Sequence, residues 1–167
     1  MIDPDKFLEQ GVDGALDDHF VPVDADTDEG YEAIIDEIKP RISTSRNGDL
    51  FATLDIFWAI TDPVKLPVQQ AKTGQQKPRV KQGLFLDAEL GKDEDDNNVI
   101  LSLQTGPGKN IQLGQLRTAL GQNDQKKRWS FRNLIGAQAR VLVEHIPDKN
   151  DPENIYAQVM KKGVVAL

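Results

Sequence analysis

The segment LFATLDIFWAI, Leu50 to Ile60, is the sequence feature that most constrains the fold. Apolar side chains stand at every second position, which is the period of a β-strand with one face in a core and not that of a helix. The predicted core face holds Leu50, Ala52, Leu54, Ile56, Trp58 and Ile60. The opposite face holds Phe51, Thr53, Asp55 and Phe57. A half-polar face that still carries two aromatic rings indicates a binding surface.

Further β-strands are predicted on both sides of this segment. One spans residues 33–38 and is closed by Pro40, and Asn47–Asp49 (NGD) signals a hairpin-type turn. A third strand follows Pro78, with Val80, Leu84 and Leu86 on the core side and Arg79, Lys81 and Phe85 opposite. The run VILSL, 99–103, either forms a hairpin with the third strand or lies against a helix. Two more strands are predicted at 139–146 and 155–167.

Between the third strand and the last two lies a helical pattern, IQLGQLRTALG. Its predicted buried stripe is Ile111, Leu113, Leu116 and Leu120, and Gly121 ends it. Residues 129–136 predict a second short helical piece. Residues 64–82 contain five bases and no acid, and their Gln, Gly and Pro residues predict a mobile basic loop. Three strands, a helical insert and two strands are the layout of an OB fold. We therefore predict a mainly β protein, a five-stranded antiparallel OB-fold barrel with the helical insert between strands three and four.

The charge distribution divides the chain. Residues 1–37 contain 13 of the 27 acids and one base, Lys6, whereas the remainder contains 19 bases and 14 acids. An acidic segment beside a basic body indicates a solubilising tail, a docking tail or a competitor for a polyanion site. We predict an acidic N-terminal segment at residues 1–30, flexible or loosely docked with a short helix after Asp3, and one folded domain at residues 31–167.

Composition narrows the class of protein. The chain has no cysteine, which excludes disulfides and Cys-ligated zinc, and it has no apolar run long enough to span a bilayer. The acidic beginning differs from a signal peptide, so a cytoplasmic protein that does not contact membranes is expected. His19 and His145 stand alone, and DEDDNN (93–98) lacks the EF-hand spacing and is predicted to be a hairpin tip. No metal or cofactor is expected.

Several phrases resemble phage-encoded single-stranded DNA-binding proteins with an OB fold. They are KPRVKQGLFLD, GKNIQLGQLRTALG, WSFRNLIGAQARVLVEH and NIYAQVMKK, together with the hairpin YEAIIDEIKPRISTSRNGDLFATLDIFW. The resemblance implies a non-enzymatic protein that coats single-stranded DNA in phage replication or recombination, in the host cytoplasm. In that family an acidic partner-docking tail is usual at the C-terminus, whereas this chain carries its acids at the N-terminus. Replication or recombination proteins are the partners expected for that segment.

The predicted DNA-binding groove combines rings that stack on bases with cations that hold phosphates. Its centre is the non-core face of strands two and three with the adjoining basic loop: Phe51, Thr53, Phe57, Lys72, Lys77, Arg79, Lys81 and Phe85. A second group at the rim comes from KKRWSFR: Lys126, Lys127, Arg128, Trp129 and Arg132. One of the rings Trp129 and Phe131 is expected to anchor the short helix in the core, and Phe131, with Leu134 and Ile135, is the favoured core member. Lys109 in TGPGKN adds a minor phosphate contact beside a turn that caps the helix.

Two other functions fit the same sequence. One is an OB-type protein-interaction module of a virion or replisome that uses the acidic segment as its contact. The other is a magnesium-dependent nuclease or resolvase built on Asp36, Asp55 and Asp87, which fall on three neighbouring predicted strands. Oligomeric state does not follow from these patterns.

Overall fold

The computed structural model describes residues 2–167 and is mainly β, with 42% of residues in strands and 16% in helices. The strands are β1 (Asp26–Thr44), β2 (Leu50–Ile60), β3 (Arg79–Leu86), β4 (Ala88–Lys92), β5 (Asn98–Leu103), β6 (Gln138–Pro147) and β7 (Ile155–Val165). The helices are α1 (Pro4–Leu8), α2 (Leu66–Thr73) and α3 (Ile111–Ala119), with one turn of 3-10 helix at Phe131–Leu134. None of the helices in the described part of the chain is long and apolar enough to cross a membrane.

Five strands form one sheet that closes on itself in the order β1-β2-β3-β7-β6. Every neighbouring pair is antiparallel except β3 and β7, which run parallel and meet at Lys81 and Gln158. The prediction of an entirely antiparallel sheet is wrong at this pair. The reason is geometric, because an odd number of strands cannot alternate in direction all the way around a ring. The run VILSL forms β5, which pairs with β4 in a separate hairpin whose tip is the DEDDNN segment.

The first strand is longer than the sequence predicts. It begins at Asp26 and continues through Pro40 to Thr44, where Pro40 pairs with Leu54 of β2. Proline has no N–H to donate, so it is tolerated only where one side of a strand is free. Strand β1 pairs with β6 no further than Ile34, and its second side is therefore free at Pro40. The expectation that Pro40 ends the strand is wrong for this reason.

The alternating pattern of β2 and β3 determines the core. Ala52, Leu54, Ile56, Trp58 and Ile60 point into the closed sheet, as do Val80, Leu84 and Leu86 of β3. Trp58 is fully buried, and its Nε1–H donates to Oε1 of Gln82 at 2.9 Å. The predicted core face is confirmed except at the strand end, where Leu50 is 43% exposed. Because Trp58 is enclosed, it cannot stack on a ligand from solvent.

The predicted basic loop is partly helical. Leu66–Thr73 form α2, which has Pro67 in its first turn and ends at Gly74 in the left-handed conformation. Helix α3 buries Leu113 and Leu116 of its predicted stripe, Leu120 is partly buried, and Ile111 is exposed. Gly121, also left-handed, follows it as predicted. Leu134 of the 3-10 helix is fully buried.

The acidic N-terminal segment has two parts. Residues 2–20, including α1, are exposed throughout. From Val21 onward the chain joins the fold: Val23 is buried, and Asp24 is bound by the side chains of Gln69 and Lys72 on α2. Strand β1 begins within the segment, at Asp26. The division of the chain at residue 30 stays a prediction.

Asp26 ties the start of β1 to the loop before α2. One carboxylate oxygen accepts from the N–H groups of Glu29 and Gly30 at 3.0 Å, and the other accepts from Nζ of Lys65 at 3.0 Å. Gly30 lies here at φ +68°, and a Cβ would meet the carbonyl oxygen of Val141 at 2.2 Å, so only glycine fits. Burial opposes ionisation of Asp26, but these hydrogen bonds outweigh it and lower its pKa from 3.8 to about 2.

We expect Asp26→Asn to lower the free energy of unfolding by about 2 kcal/mol at pH 7. A lowered folded-state pKa gives stability that is full above the unfolded-state pKa of 3.8 and is lost as pH falls through about 2. The difference between variant and wild type should therefore shrink below pH 4 and vanish near the folded-state pKa. Urea unfolding at several pH values measures it, with the exposed Asp28→Asn as control. A pH-independent difference would contradict the assignment.

Candidate nucleic-acid interface

The outer face of β1, β2 and β3 brings together most of the predicted groove. Across the ladder Thr53 pairs with Phe85, Phe57 with Lys81, and Ala59 with Arg79. On the other side of β2, strand β1 adds Lys39 opposite Asp55 and Arg41 opposite Thr53. We call this surface the outer face; its members are Lys39, Arg41, Phe51, Thr53, Asp55, Phe57, Arg79, Lys81, Gly83 and Phe85.

Two rings of the outer face stack on each other. Phe51 and Phe85 lie parallel, with an angle of 8° between their planes and 5.5 Å between their centroids. They are diagonal neighbours across β2 and β3, which brings long side chains into contact. Phe85 is 50% exposed although it is a large apolar side chain. A half-exposed ring such as Phe85, supported from behind by Phe51, is suited to stacking a planar ligand.

The third ring, Phe57, is surrounded by cations. The guanidinium carbon of Arg79 lies 4.5 Å from its centroid, and Nζ of Lys39 lies 5.5 Å away. Such contacts hold both cations by cation–π attraction. A base that stacks on Phe57 therefore has to displace one of them, and the ring is better suited to positioning positive charge than to receiving a base.

Lys39 and Arg41 are outer-face cations that the sequence prediction missed. It ended the first strand before Pro40, so their place next to β2 was not apparent. A signal for their position exists in the sequence KPRIS. Lys39 and Arg41 are two residues apart, which places both side chains on the same face if the strand continues through Pro40. Arg41 binds the nearly buried carboxylate of Asp55, with Nε 2.7 Å from Oδ2.

Acids from other parts of the chain neutralise several of the predicted cations. Lys72 lies on α2 and binds Asp24, so it faces the acidic segment and not the outer face. Lys77 binds Asp36 at 3.1 Å, and Arg79 lies within 3.5 Å of both Asp36 and Glu37. Residues 63–86 contain no acid, yet folding places carboxylates beside them. Lys81 is the predicted β3 cation with no ion pair within residues 2–167.

The middle of the outer face is open. Gly83 stands between Lys81 and Phe85 on β3, opposite Asp55, and a Cβ added there would meet nothing within 4 Å. A glycine in a strand interior weakens the strand and often marks the close approach of another molecule. Thr53, next to this gap on β2, has a buried hydroxyl oxygen without a hydrogen-bond partner in the described chain. The gap therefore offers space above β3, whereas the Thr53 oxygen beside it is buried.

No family model, curated protein or solved structure matches this chain. The resemblance to phage single-stranded DNA-binding proteins stays a prediction. Its support comes from the side chains of the outer face and of the two regions described next.

Trp129 is held in place by its neighbours. Its Nε1–H donates to Oε1 of Gln122 at 2.9 Å, the guanidinium carbon of Arg117 lies 4.4 Å from its ring, and Phe131 packs against it edge-on. Both rings are partly buried against the core. The surrounding cations are exposed, and within residues 2–167 they make no ion pair: Lys126, Lys127, Arg128 and Arg132. These contacts give Trp129 a structural role. Stacking of a base on Trp129 stays a prediction.

The TGPGKN turn anchors α3 to the strands. Asn110 adopts φ +51° and makes no capping bond with its side chain; instead its N–H donates to Oδ2 of Asp87 at 2.7 Å. Its side-chain oxygen accepts from the N–H of Asp87 at 2.9 Å, and its amide group donates to the carbonyls of Asp87 and Gln104. The turn predicted to cap the helix supplies its N-cap residue, Asn110, whose side chain binds Asp87 and Gln104 and not the free N–H groups of α3. Lys109 stays exposed beside it.

The three aspartates considered for metal catalysis have separate partners. Asp36 binds Lys77 and Arg79, Asp55 binds Arg41, and Asp87 binds the backbone of Asn110. Within residues 2–167 no three His, Cys, Asp or Glu residues are arranged to hold a metal ion.

Proposed function

We propose that this protein binds single-stranded DNA through the outer face, with little sequence preference. The observation that carries the proposal is the parallel pair of Phe51, which is partly buried, and Phe85, which is half exposed, next to the gap at Gly83. Base stacking on aromatic rings contributes about 1–3 kcal/mol per base and tolerates any sequence, because every base has a π-face. Lys81, which makes no ion pair in the described part of the chain, and the cations around Phe57 supply phosphate contacts.

We further propose that the closed sheet is an OB fold with α3 as its helical insert. Three antiparallel strands, a helix and two antiparallel strands follow one another in the chain, and β3 and β7 close the ring in parallel. OB folds bind oligonucleotides on the face of their second and third strands. In this chain those strands are β2 and β3, which carry the ring pair.

Fluorescence anisotropy with labelled oligo-dT tests the proposal directly. We expect binding that weakens with salt, with a slope of log affinity against log salt of about −0.7 for each phosphate contacted. Duplex DNA of the same length should bind more weakly, because its bases are already stacked, and RNA of the same length measures any preference for DNA. Absence of binding to oligo-dT at low salt would overturn the proposal.

A role in phage replication or recombination follows from the resemblance, with the acidic segment as the contact for other proteins. Residues 2–20 display apolar side chains among acids: Phe7 is 64%, Leu16 75% and Phe20 89% exposed. This observation also favours the alternative function, a protein-interaction module. Deleting residues 2–19 distinguishes the two. DNA affinity should stay unchanged or rise if the segment serves partners or competes for the groove, whereas an interaction module loses its partner and shows no DNA affinity in either form.

A further inference from the structure

A second surface lies beside the outer face, between α3 and the C-terminal half of β7. This groove encloses about 1330 Å³, and β3 forms its floor. Its lining contains no Asp or Glu but four cations: Lys109, Arg117, Lys161 and Lys162. In a chain with a net charge of −7, an acid-free surface of this size is unexpected on composition alone. We call it the α3–β7 groove.

Three of the four cations of the α3–β7 groove remain available to a ligand. Arg117 is engaged, because it donates to the carbonyl of Gln122 and stacks on Trp129. Lys109, Lys161 and Lys162 are exposed and belong to no ion pair among the residues described. The outer face is different, since Arg41 and Arg79 are paired there with acids.

The backbone of β7 places two lysines next to each other at the groove. Pairing of β6 with β7 is interrupted between Val159 and Val164, and Lys162 has φ +57° within the interruption. In regular extended backbone, consecutive side chains point to opposite faces. In this bulge Lys161 and Lys162 both line the groove. A lysine in left-handed backbone is unfavourable for folding, which makes a role for its position reasonable.

The α3–β7 groove is continuous with the outer face. Gly83 belongs to both surfaces, and Gln158, which pairs with Lys81, also lines the groove. Amide side chains such as Gln115 and Gln125 line it as well, and Gln125 directly precedes the exposed Lys126. Cations that contact phosphates and amides that hydrogen-bond base edges are the groups that nucleic acids meet in such grooves.

We propose that the α3–β7 groove binds a further stretch of the same single strand, which passes from the ring pair over Gly83 and onto Lys161 and Lys162. This proposal rests on the proposed function. It assigns the protein a longer binding site than the outer face alone. Strands long enough to reach Lys161 and Lys162 on β7 are then expected to bind more tightly than short ones.

The test compares Lys161→Gln/Lys162→Asn with wild type on labelled oligo-dT of about 6 and about 16 nucleotides, within the range of OB-fold site sizes. Asparagine tolerates the left-handed backbone at position 162. We expect the affinity for the short strand to change less than roughly twofold and that for the long strand to fall at least about fivefold. The salt slope for the long strand should become shallower by about 1.4, which corresponds to two phosphates.

Lys149→Gln in the exposed turn between β6 and β7 is the matched control, and it should match wild type at both lengths. Thermal unfolding confirms that the variants are folded. Equal affinities of variant and wild type at both lengths, or an equal loss at both, would overturn the inference while wild-type binding still supported the outer face. If wild type binds neither the short nor the long oligonucleotide, the proposed function is overturned instead.

Discussion

Phe85→Ala is expected to weaken binding of single-stranded DNA by about five- to a hundredfold and to leave the fold intact. Stacking contributes about 1–3 kcal/mol per base, and each 1.4 kcal/mol is a tenfold change in affinity. Phe85 is half exposed and lies outside the closed sheet, so its removal creates no cavity in the core. Anisotropy with oligo-dT measures the affinity, and urea unfolding measures the stability.

Phe7→Ala is the control for this experiment. It removes the same ring from another exposed position, in α1, and should leave DNA affinity unchanged. Adding Phe51→Ala tests whether the two rings act as one platform, because residues in contact give non-additive effects. Unaltered affinity of the Phe85 variant would contradict the assignment of the ring pair as the stacking site.

Gly83→Ile is expected to reduce DNA affinity about tenfold or more while the stability of the fold stays the same or rises. A Cβ at this position meets no atom within 4 Å, so we expect the fold to accommodate a branched side chain that points to solvent. β-Branched residues favour strands, and replacing a glycine within a strand gains roughly 0.5–1 kcal/mol. The same side chain fills the gap between the ring pair and Lys81, through which we propose that the strand passes. We therefore expect the free energy of unfolding to stay the same or rise while the affinity for single-stranded DNA falls.

Gly83→Ala separates the backbone effect from the steric one. A methyl group gains most of the stability but leaves most of the gap open, so its DNA affinity should lie near that of wild type. If Gly83→Ile binds oligo-dT as tightly as wild type does, the strand does not cross β3 at this position. A variant that loses both stability and affinity would show that the glycine serves the fold.

Much of the fold could be predicted because it depends on local alternation. The period of two in LFATLDIFWAI separates buried Trp58 from half-buried Phe57, whichever strands flank it. The helix at Ile111–Ala119 and its end at Gly121 were predictable from apolar spacing and glycine chemistry. The length of β1 was not, because the tolerance of Pro40 depends on whether β6 reaches that far along the strand.

The candidate site was predictable only in part. The pattern placed Phe51 and Phe85 on outward faces, but their parallel contact depends on the register between β2 and β3. Lys72 was assigned to the same surface because it is close in sequence, whereas α2 turns it toward Asp24. The groove beside β7 has no local signal, since its lining comes from segments that are distant in the chain.

Along the interior of β2 and β3 the alternation of residues alone predicts which side chains face the core and which face outward, because that depends on backbone periodicity. The sequence also determined that the acids are concentrated before residue 38 and the bases after it. Where positive charge remains uncompensated depends on the packing of the strands. Asp36 and Glu37 reach Lys77 and Arg79 across the sheet, whereas no carboxylate lines the groove of Lys161 and Lys162. The physical reason is that electrostatic pairing depends on distance in space, which strand order and register determine.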